Sequence, residues 1–476
     1  MTDDDQHSLR ANVLGAADTA MMAVAGSAPA YSIAATTATL VAVAGLASPA
    51  SLIYCGIPML GIAWAFSHLG KKDVNAGAAY AWVGKSLHPA LGFLAGWALI
   101  VSATIFMVAG SLPAGSLTLA LFDPSLANNT ALVTIVGAAW FIVMVTVVLL
   151  GANITARAQW VMSSIEVAIL VVFLVIGFVR APQIAVHTFS LSWLGFGHFS
   201  GLGGFASAAL VAAFYYWGWD VAANLNEETK SARRSAGLGG IVGVLIVFAL
   251  FLGFTIMVNL ILTSGQISNN SGNMLEVLGQ AIWPGAGGKV LSLAAMLSTV
   301  ATLETTLIQV TRTMFSMGRD RTLAGAFGRT HARWRTPWLA TVVVAVVSLA
   351  LFVLSNFLGS VGTIMTDAIS AIGLQVAFYY GLAGIAVVIS YRREVLSSVR
   401  NILLIGVWPL LGAVFLLWMF VEAIRENDAA VNYIGLGAMA IGIIPLTIAW
   451  VRKSPYFSQS RDDVAPELEG ALAVDG

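Results

Sequence analysis

Three carboxylates of this 476-residue chain stand inside long apolar runs: Glu166, Asp220 and Glu304. Burying a carboxylate at membrane depth costs at least about 2.5–3.5 kcal/mol on insertion scales, so each is a functional candidate by default. Such a group can carry a proton, bind a sodium ion or pair with an amine. Ser298, Thr299 and Thr302 lie within two turns of Glu304 and could line a cation path. Their alternative role is to bond their own preceding carbonyls or a neighbouring helix. Asp18 and Asp367 fall nearer the ends of their runs and read as helix-end groups reaching water. No histidine stands mid-run, so a histidine relay is not indicated. The aromatic trio Tyr215, Tyr216 and Trp217 could form a cation–π surface for an amine, or simply pack.

The elements that must position these groups are membrane helices. Hydrophobic residues make up 58% of the chain and charged residues only 10%, against about 25% in soluble domains. Mean hydropathy is +0.87. That composition excludes disorder, and a net charge of +0 argues against a nucleic-acid partner. Twelve apolar segments are long enough to cross a bilayer, near 12–45, 49–68, 88–115, 131–151, 157–179, 203–226, 236–262, 287–317, 337–355, 361–390, 401–424 and 430–451. A membrane-barrel reading fails, because the runs are too long and lack period-2 alternation. With the N-terminus inside, 20 of the 23 Lys and Arg residues fall on the cytoplasmic side, which predicts that both termini are cytoplasmic. The acidic start, Met1–Arg10, is unlike a cleaved signal peptide. Both tails are expected to be short and polar. Cys55 alone can build neither an internal disulfide nor a zinc site. The five arginines between Arg319 and Arg335 read first as a topology anchor, with lipid binding or regulation as the alternative.

Two spans are interrupted. In the first, Gly26 and Pro29 fall near the middle, which predicts a helix ending near Val24 and a second one starting near Pro29. A simple proline kink is the alternative. In the sixth, Gly218 sits between Trp217 and Trp219, with Asp220 next. Interrupted helices at corresponding positions of two inverted halves mark a transporter's binding site. Helix N-termini at the breaks favour an anion and C-termini a cation, which suits a zwitterionic amino acid.

These residues resemble the amino acid–polyamine–organocation (APC) superfamily of permeases over nearly the whole chain. The resemblance lies in Gly26-Ser-Ala28 at the first break, Asn75-Ala-Gly-Ala-Ala-Tyr80, Gly92-Phe-Leu-Ala-Gly-Trp97, Trp217-Gly-Trp-Asp220, Arg312 and Met317-Gly-Arg-Asp320. It implies an all-α fold of twelve transmembrane helices, with a five-plus-five inverted repeat and discontinuous helices 1 and 6. The repeats would span 12–179 and 203–390, joined by an external loop at 180–202. Helices 11 and 12 would occupy 391–452, between cytoplasmic tails at 1–11 and 453–476. It implies that a substrate carboxylate meets amides around Gly26, Ser27 and Ala28. The substrate amine would meet carbonyls near Val24, Phe214 and Tyr215, beside Trp217 and Gly218. Phe214 matches an aromatic gate, and Asp220 a glutamate tied to proton coupling. Glu166, Glu304, Ser298 and Thr299 join Asp220 as proton- or ion-coupling candidates. Two departures stand out. Ala28 replaces the second glycine, and Glu166 stands where proton-coupled relatives often carry a lysine.

The expected function is a secondary active permease of the plasma or inner membrane, not an enzyme. It would import or exchange amino acids or related amines by alternating access, with no cofactor beyond an ion gradient. The coupling ion is a proton on the first reading and sodium on the second. A polyamine or other organic amine is the alternative cargo. No Gly-x4-Gly-Lys-Ser/Thr loop is present to use ATP. More remote alternatives are a polytopic membrane enzyme and a permease-derived sensor. The first lacks a His/Asp cluster around His187 and His198, and the second lacks an output domain.

Overall fold

The computed structural model describes residues 8–270, 274–355, 357 and 361–458, and only the backbone at 361–363, 365 and 366. The acids Asp3, Asp4 and Asp5, Arg461 and most of the 453–476 tail lie outside the described residues. The chain is α-helical, and among the described residues the only β pairing is an isolated bridge between Leu14 and Thr229.

The first interrupted span gives α1 (Ala16–Gly26) and α2 (Pro29–Ala44), followed by α3 (Ser48–Lys72). A short α4 (Ala79–Ser86) leads into α5 (Pro89–Phe122), α6 (Thr130–Leu150) and α7 (Ala152–Ile184). The second interrupted span gives α8 (Gly201–Tyr215) and the single turn α9 (Val221–Asn224), then α10 (Ala232–Ile261). The short polar α11 (Ser264–Asn269) and the amphipathic α12 (Met274–Ile282) precede α13 (Gly287–Arg319). The remainder is α14 (Trp338–Ser355), α15 (Val361–Ser390), the short α16 (Arg392–Val395) and α17 (Val399–Asn401), α18 (Trp408–Glu426), α19 (Ala429–Ile441) and α20 (Ile443–Val451). A π-helical turn at Ile402–Val407 joins α17 to α18.

Among the described residues, 10 helical stretches are long and apolar enough to cross a membrane. The count differs from the twelve expected spans for two physical reasons. α1, α2 and α3 follow one another without a polar loop, so Ala16–Lys72 forms one stretch of 57 residues. The other reason is that the sixth span stops at Tyr215, leaving α8 too short to count.

Sequence periodicity sorts the helices between core and lipid. On α7, Ala152, Thr155, Gln159, Ser163, Glu166, Leu170, Phe173 and Gly177 are buried, at steps of three or four residues. Val171, Val172, Val175 and Val179 on the opposite side are exposed, as a lipid-facing stripe requires. α13 is the innermost helix, with 89% of its apolar window buried, and it packs on α2, α5, α7 and α12. Both interrupted spans lean on it, because α1, α2 and α9 all touch α13.

Candidate functional site

The first break is shorter than expected. α1 continues to Gly26 rather than stopping near Val24, because the Ser27 amide bonds back to the carbonyls of Ala23 and Val24. The Ala28 amide likewise bonds to the Ala25 carbonyl (3.1 Å). The amides of Ser27 and Ala28, expected to be free for a ligand, are therefore spent inside the chain. Ala28 takes the left-handed conformation (φ 48°, ψ 63°) that reverses the path before Pro29. This is the position where the resembling signature has glycine.

A helix start leaves about four amides without intrahelical partners. At α2 all four are accounted for. The Ala28 amide turns back, and Pro29 has no N–H to satisfy. The Ala30 amide donates to Glu166 Oε1 (2.9 Å), and the Tyr31 amide donates to Ser298 Oγ (3.2 Å). Glu166 from α7 and Ser298 from α13 thus cap α2 from outside it. The other Glu166 oxygen, Oε2, is buried without a hydrogen-bond partner.

The second break is pressed against the first. Gly218 has φ +96°, and a Cβ there would lie 2.1 Å from the Gly26 carbonyl oxygen. Reciprocally, a Cβ on Gly26 would lie 2.2 Å from the Gly218 oxygen. Only two glycines permit this backbone contact. Asp220 follows, 1% exposed, accepting from the hydroxyls of Tyr379 (3.0 Å) and Tyr380 (2.8 Å) on α15. The Trp217 indole donates to the Tyr379 hydroxyl (3.0 Å), so Trp217, Tyr379 and Asp220 form one hydrogen-bonded chain.

Trp217 and Phe214 also form part of the wall of a cavity of about 270 Å³ between α2, α3, α8, α15 and α18. Its wall is largely apolar, with Thr36, Thr39, Met59 and Met419 among the lining residues, and it extends to exposed Glu426. The cavity therefore meets the surface at one end and stands one tyrosine away from Asp220 at the other.

Glu304 lies on the neighbouring side of α13. Its Oε2 accepts from Gln159 Nε2 (2.6 Å), which also reaches the Ala301 carbonyl (2.8 Å). Its Oε1 is buried without a partner. Thr302 donates to the Ala25 carbonyl (2.9 Å), fastening the end of α1 to α13. Thr299 bonds its own Ala295 carbonyl, as the packing alternative has it. Among the described residues no lysine or arginine pairs with Glu166, Asp220 or Glu304.

One end of the bundle is fastened by ion pairs. Arg312 is fully buried and bonds Glu228 through Nε (3.0 Å) and Nη2 (3.2 Å). Arg319 grips Glu227 with Nη1 (2.9 Å) and Nη2 (2.6 Å), and Glu227 also accepts the Ala76 amide. Asn224, at the end of α9, donates to the Ala76 carbonyl and to Thr313. Just past α13, burial raises the Asp320 carboxyl above its usual range, while the Tyr80 hydroxyl opposes this by donating to it (3.0 Å).

Apart from Glu304 and Thr299 on α13, the binding and coupling candidates read from the sequence fall into three groups. Gly26, Ser27, Ala28, Gly218, Glu166 and Ser298 meet at the crossed breaks, with Val24 buried one turn before. Phe214, Trp217 and Asp220 stand at the cavity and the chain behind it. Tyr215 is turned away: its hydroxyl bonds Thr37 (2.6 Å) and its ring packs on Phe251. Tyr216 likewise bonds the Leu52 carbonyl, so the trio supplies packing at Tyr215 and Tyr216 and a cavity wall only at Trp217. Sequence reasoning missed Tyr379, Tyr380 and Gln159. Gln159, Ser163 and Glu166 are spaced i, i+4, i+7, a polar helical stripe that could have revealed the first of them. The paired tyrosines offered no such signal.

Residues 14–444 match the amino acid permease family. The chain is 25% identical over 424 residues to a low-affinity putrescine importer of Escherichia coli (strain K12), covering 85% of this chain and 86% of that one. It is 24% identical over 391 residues to the methylthioribose transporter of Bacillus subtilis (strain 168), covering 79% and 80%. It is 26% identical over 362 residues to the vacuolar cationic amino acid transporter 4 of Arabidopsis thaliana, covering 70% of this chain but 58% of that protein. The family and these relatives are transporters rather than enzymes, and the matched region contains both helix breaks and the carboxylates Glu166, Asp220 and Glu304. The chain is therefore a multi-pass membrane protein that belongs to the amino acid permease family.

Proposed function

We propose that this permease moves an amino acid or a related amine by alternating access, with a proton as the coupling ion. On this reading the chain makes twelve passes of the cell membrane with both termini in the cytoplasm. α1 to α7 and α8 to α15 are its inverted halves. The observation that carries the proton assignment is the chain from the cavity wall through Trp217 and Tyr379 to Asp220, a buried carboxylate with no cationic partner among the described residues. An isolated ionised carboxylate in a low-dielectric interior is costly enough that it takes up a proton or a cation. Sodium is the second reading, because the Thr299 and Thr302 hydroxyls, which donate to helix carbonyls, keep oxygen lone pairs for a cation.

The test is uptake of radiolabelled amino acids and amines into proteoliposomes carrying a pH gradient, a sodium gradient or neither. Accumulation driven by the pH gradient alone is the expected result. Accumulation that follows sodium and ignores pH would overturn the coupling ion, and binding without flux would favour a sensor. Asp220→Asn keeps the acceptor for one tyrosine but cannot cycle a proton. It is expected to lose gradient-driven accumulation while retaining counterflow exchange, and unchanged accumulation would remove Asp220 from the coupling path.

A further inference from the structure

A helix that begins inside a membrane protein is a ready anion site, because its first amides point outward and its dipole favours negative charge. At α2 that site is already filled. Of the amides that could serve a ligand, proline deletes one, and the other two are held by Glu166 Oε1 and Ser298 Oγ. Glu166 reaches across from α7, is fully buried, and has no cationic partner among the described residues.

At the second break a carboxylate is also present, although it bonds Tyr379 and Tyr380 and not the amides of the next turn. α9 is a single turn, and the carboxylate of Asp220 stands at its start. Among the described residues the buried charged groups are Glu166, Asp220, Glu228, Glu304 and Arg312, and the lone base is committed to Glu228. A cargo carboxylate entering this region meets no free backbone amide at the start of α2, where the unpartnered donor is the Tyr31 hydroxyl, and it faces acidic groups on three sides. A cargo ammonium meets the reverse, because Glu166 Oε2 and Glu304 Oε1 are buried acceptors with no partner.

We infer that Glu166 is a carboxyl built into the first helix break that carries its charge when a cargo ammonium is there to balance it, and that it selects cationic amines lacking a carboxylate over the corresponding amino acids. The inference rests on the permease reading and narrows it to a substrate class. When the site opens, Oε2 accepts from the ammonium while Oε1 stays on the Ala30 amide. The cargo's positive charge replaces the missing counter-ion, and the helix start needs no negative group from the cargo.

Matched pairs differing only in the carboxylate provide the test: putrescine against ornithine, and isopentylamine against leucine. Binding is read by thermal shift on detergent-purified full-length protein, and transport by competition for uptake in proteoliposomes. Each amine is expected to outcompete its carboxylated parent by roughly tenfold or more, because mismatched buried polar groups discriminate strongly. Glu166→Gln retains an acceptor for the Ala30 amide but removes the charge, and is expected to shrink that preference in both pairs. The wild-type comparison stands alone if the variant fails to fold. Equal or better binding of the amino acids to the wild-type protein overturns the inference and leaves the permease reading intact. A preference unchanged in Glu166→Gln overturns the assignment to Glu166. Absence of uptake for either series, under any gradient, overturns the permease reading together with it.

Discussion

Replacing Arg312 with methionine lowers the stability of the protein by about 3–5 kcal/mol, the usual cost of removing one partner from a buried ion pair. The guanidinium is fully buried and meets both oxygens of a carboxylate that is itself only 1% exposed. Without it, Glu228 is left as an uncompensated buried charge. Its backbone carbonyl also accepts from the amides of Val13 and Leu14, so the stretch before α1 depends on the same position. The double variant Arg312→Met with Glu228→Gln removes both charges and is expected to recover more than half of the loss. Thermal unfolding of the detergent-purified variants measures both effects. A single variant that melts with the parent protein, or a double variant no better than the single, would show that the pair carries no such weight. The consequence reaches the candidate site, because Glu228 ends the short turn after α9 and Arg312 belongs to the helix on which both breaks lean.

That ion pair also shows where sequence reading stops. Arg312 and Glu228 are 84 residues apart, and nothing in either local pattern names the other. The same holds for Tyr379 and Tyr380, which read as ordinary aromatics of an apolar span until the fold brings them to Asp220. By contrast, features set by local chemistry were legible. Pro29 starts a helix because it needs no amide partner, and Gly218 interrupts one because φ +96° suits it. The long spans followed from hydropathy alone. α12 did not, because nine residues are too few for a span, although Met274, Leu275, Leu278 and Ile282 bury one amphipathic face. Glu166 is an intermediate case. Its depth marked it as functional, but only the position of the Ala30 amide shows that it caps α2. A break can be read from the residues that make it, whereas the groups that satisfy it come from other helices.

Gly218→Ala is expected to abolish transport and to destabilise the protein by about 2–5 kcal/mol. Two costs add: about 1–2 kcal/mol for a Cβ in a left-handed conformation, and about 1–3 kcal/mol for overpacking. The second arises because the new carbon would lie 2.1 Å from the Gly26 carbonyl oxygen. Gly285 separates the two terms. It has the same φ of +96°, yet a Cβ there meets nothing within 4 Å. Gly285→Ala therefore bears the backbone cost alone and is expected to keep transport. Gly26→Ala, a helical residue without positive φ, bears the steric cost alone, because its Cβ would lie 2.2 Å from the Gly218 oxygen. If the contact between the breaks is what matters, Gly26→Ala and Gly218→Ala fail in transport while Gly285→Ala does not. Equal losses for Gly218→Ala and Gly285→Ala would instead mean that backbone conformation alone sets the cost. The comparison bears on mechanism, because flexible side chains can yield at a contact but two touching backbones cannot. Any relative motion of α1 and α9 must therefore carry two backbones past or away from each other at this contact.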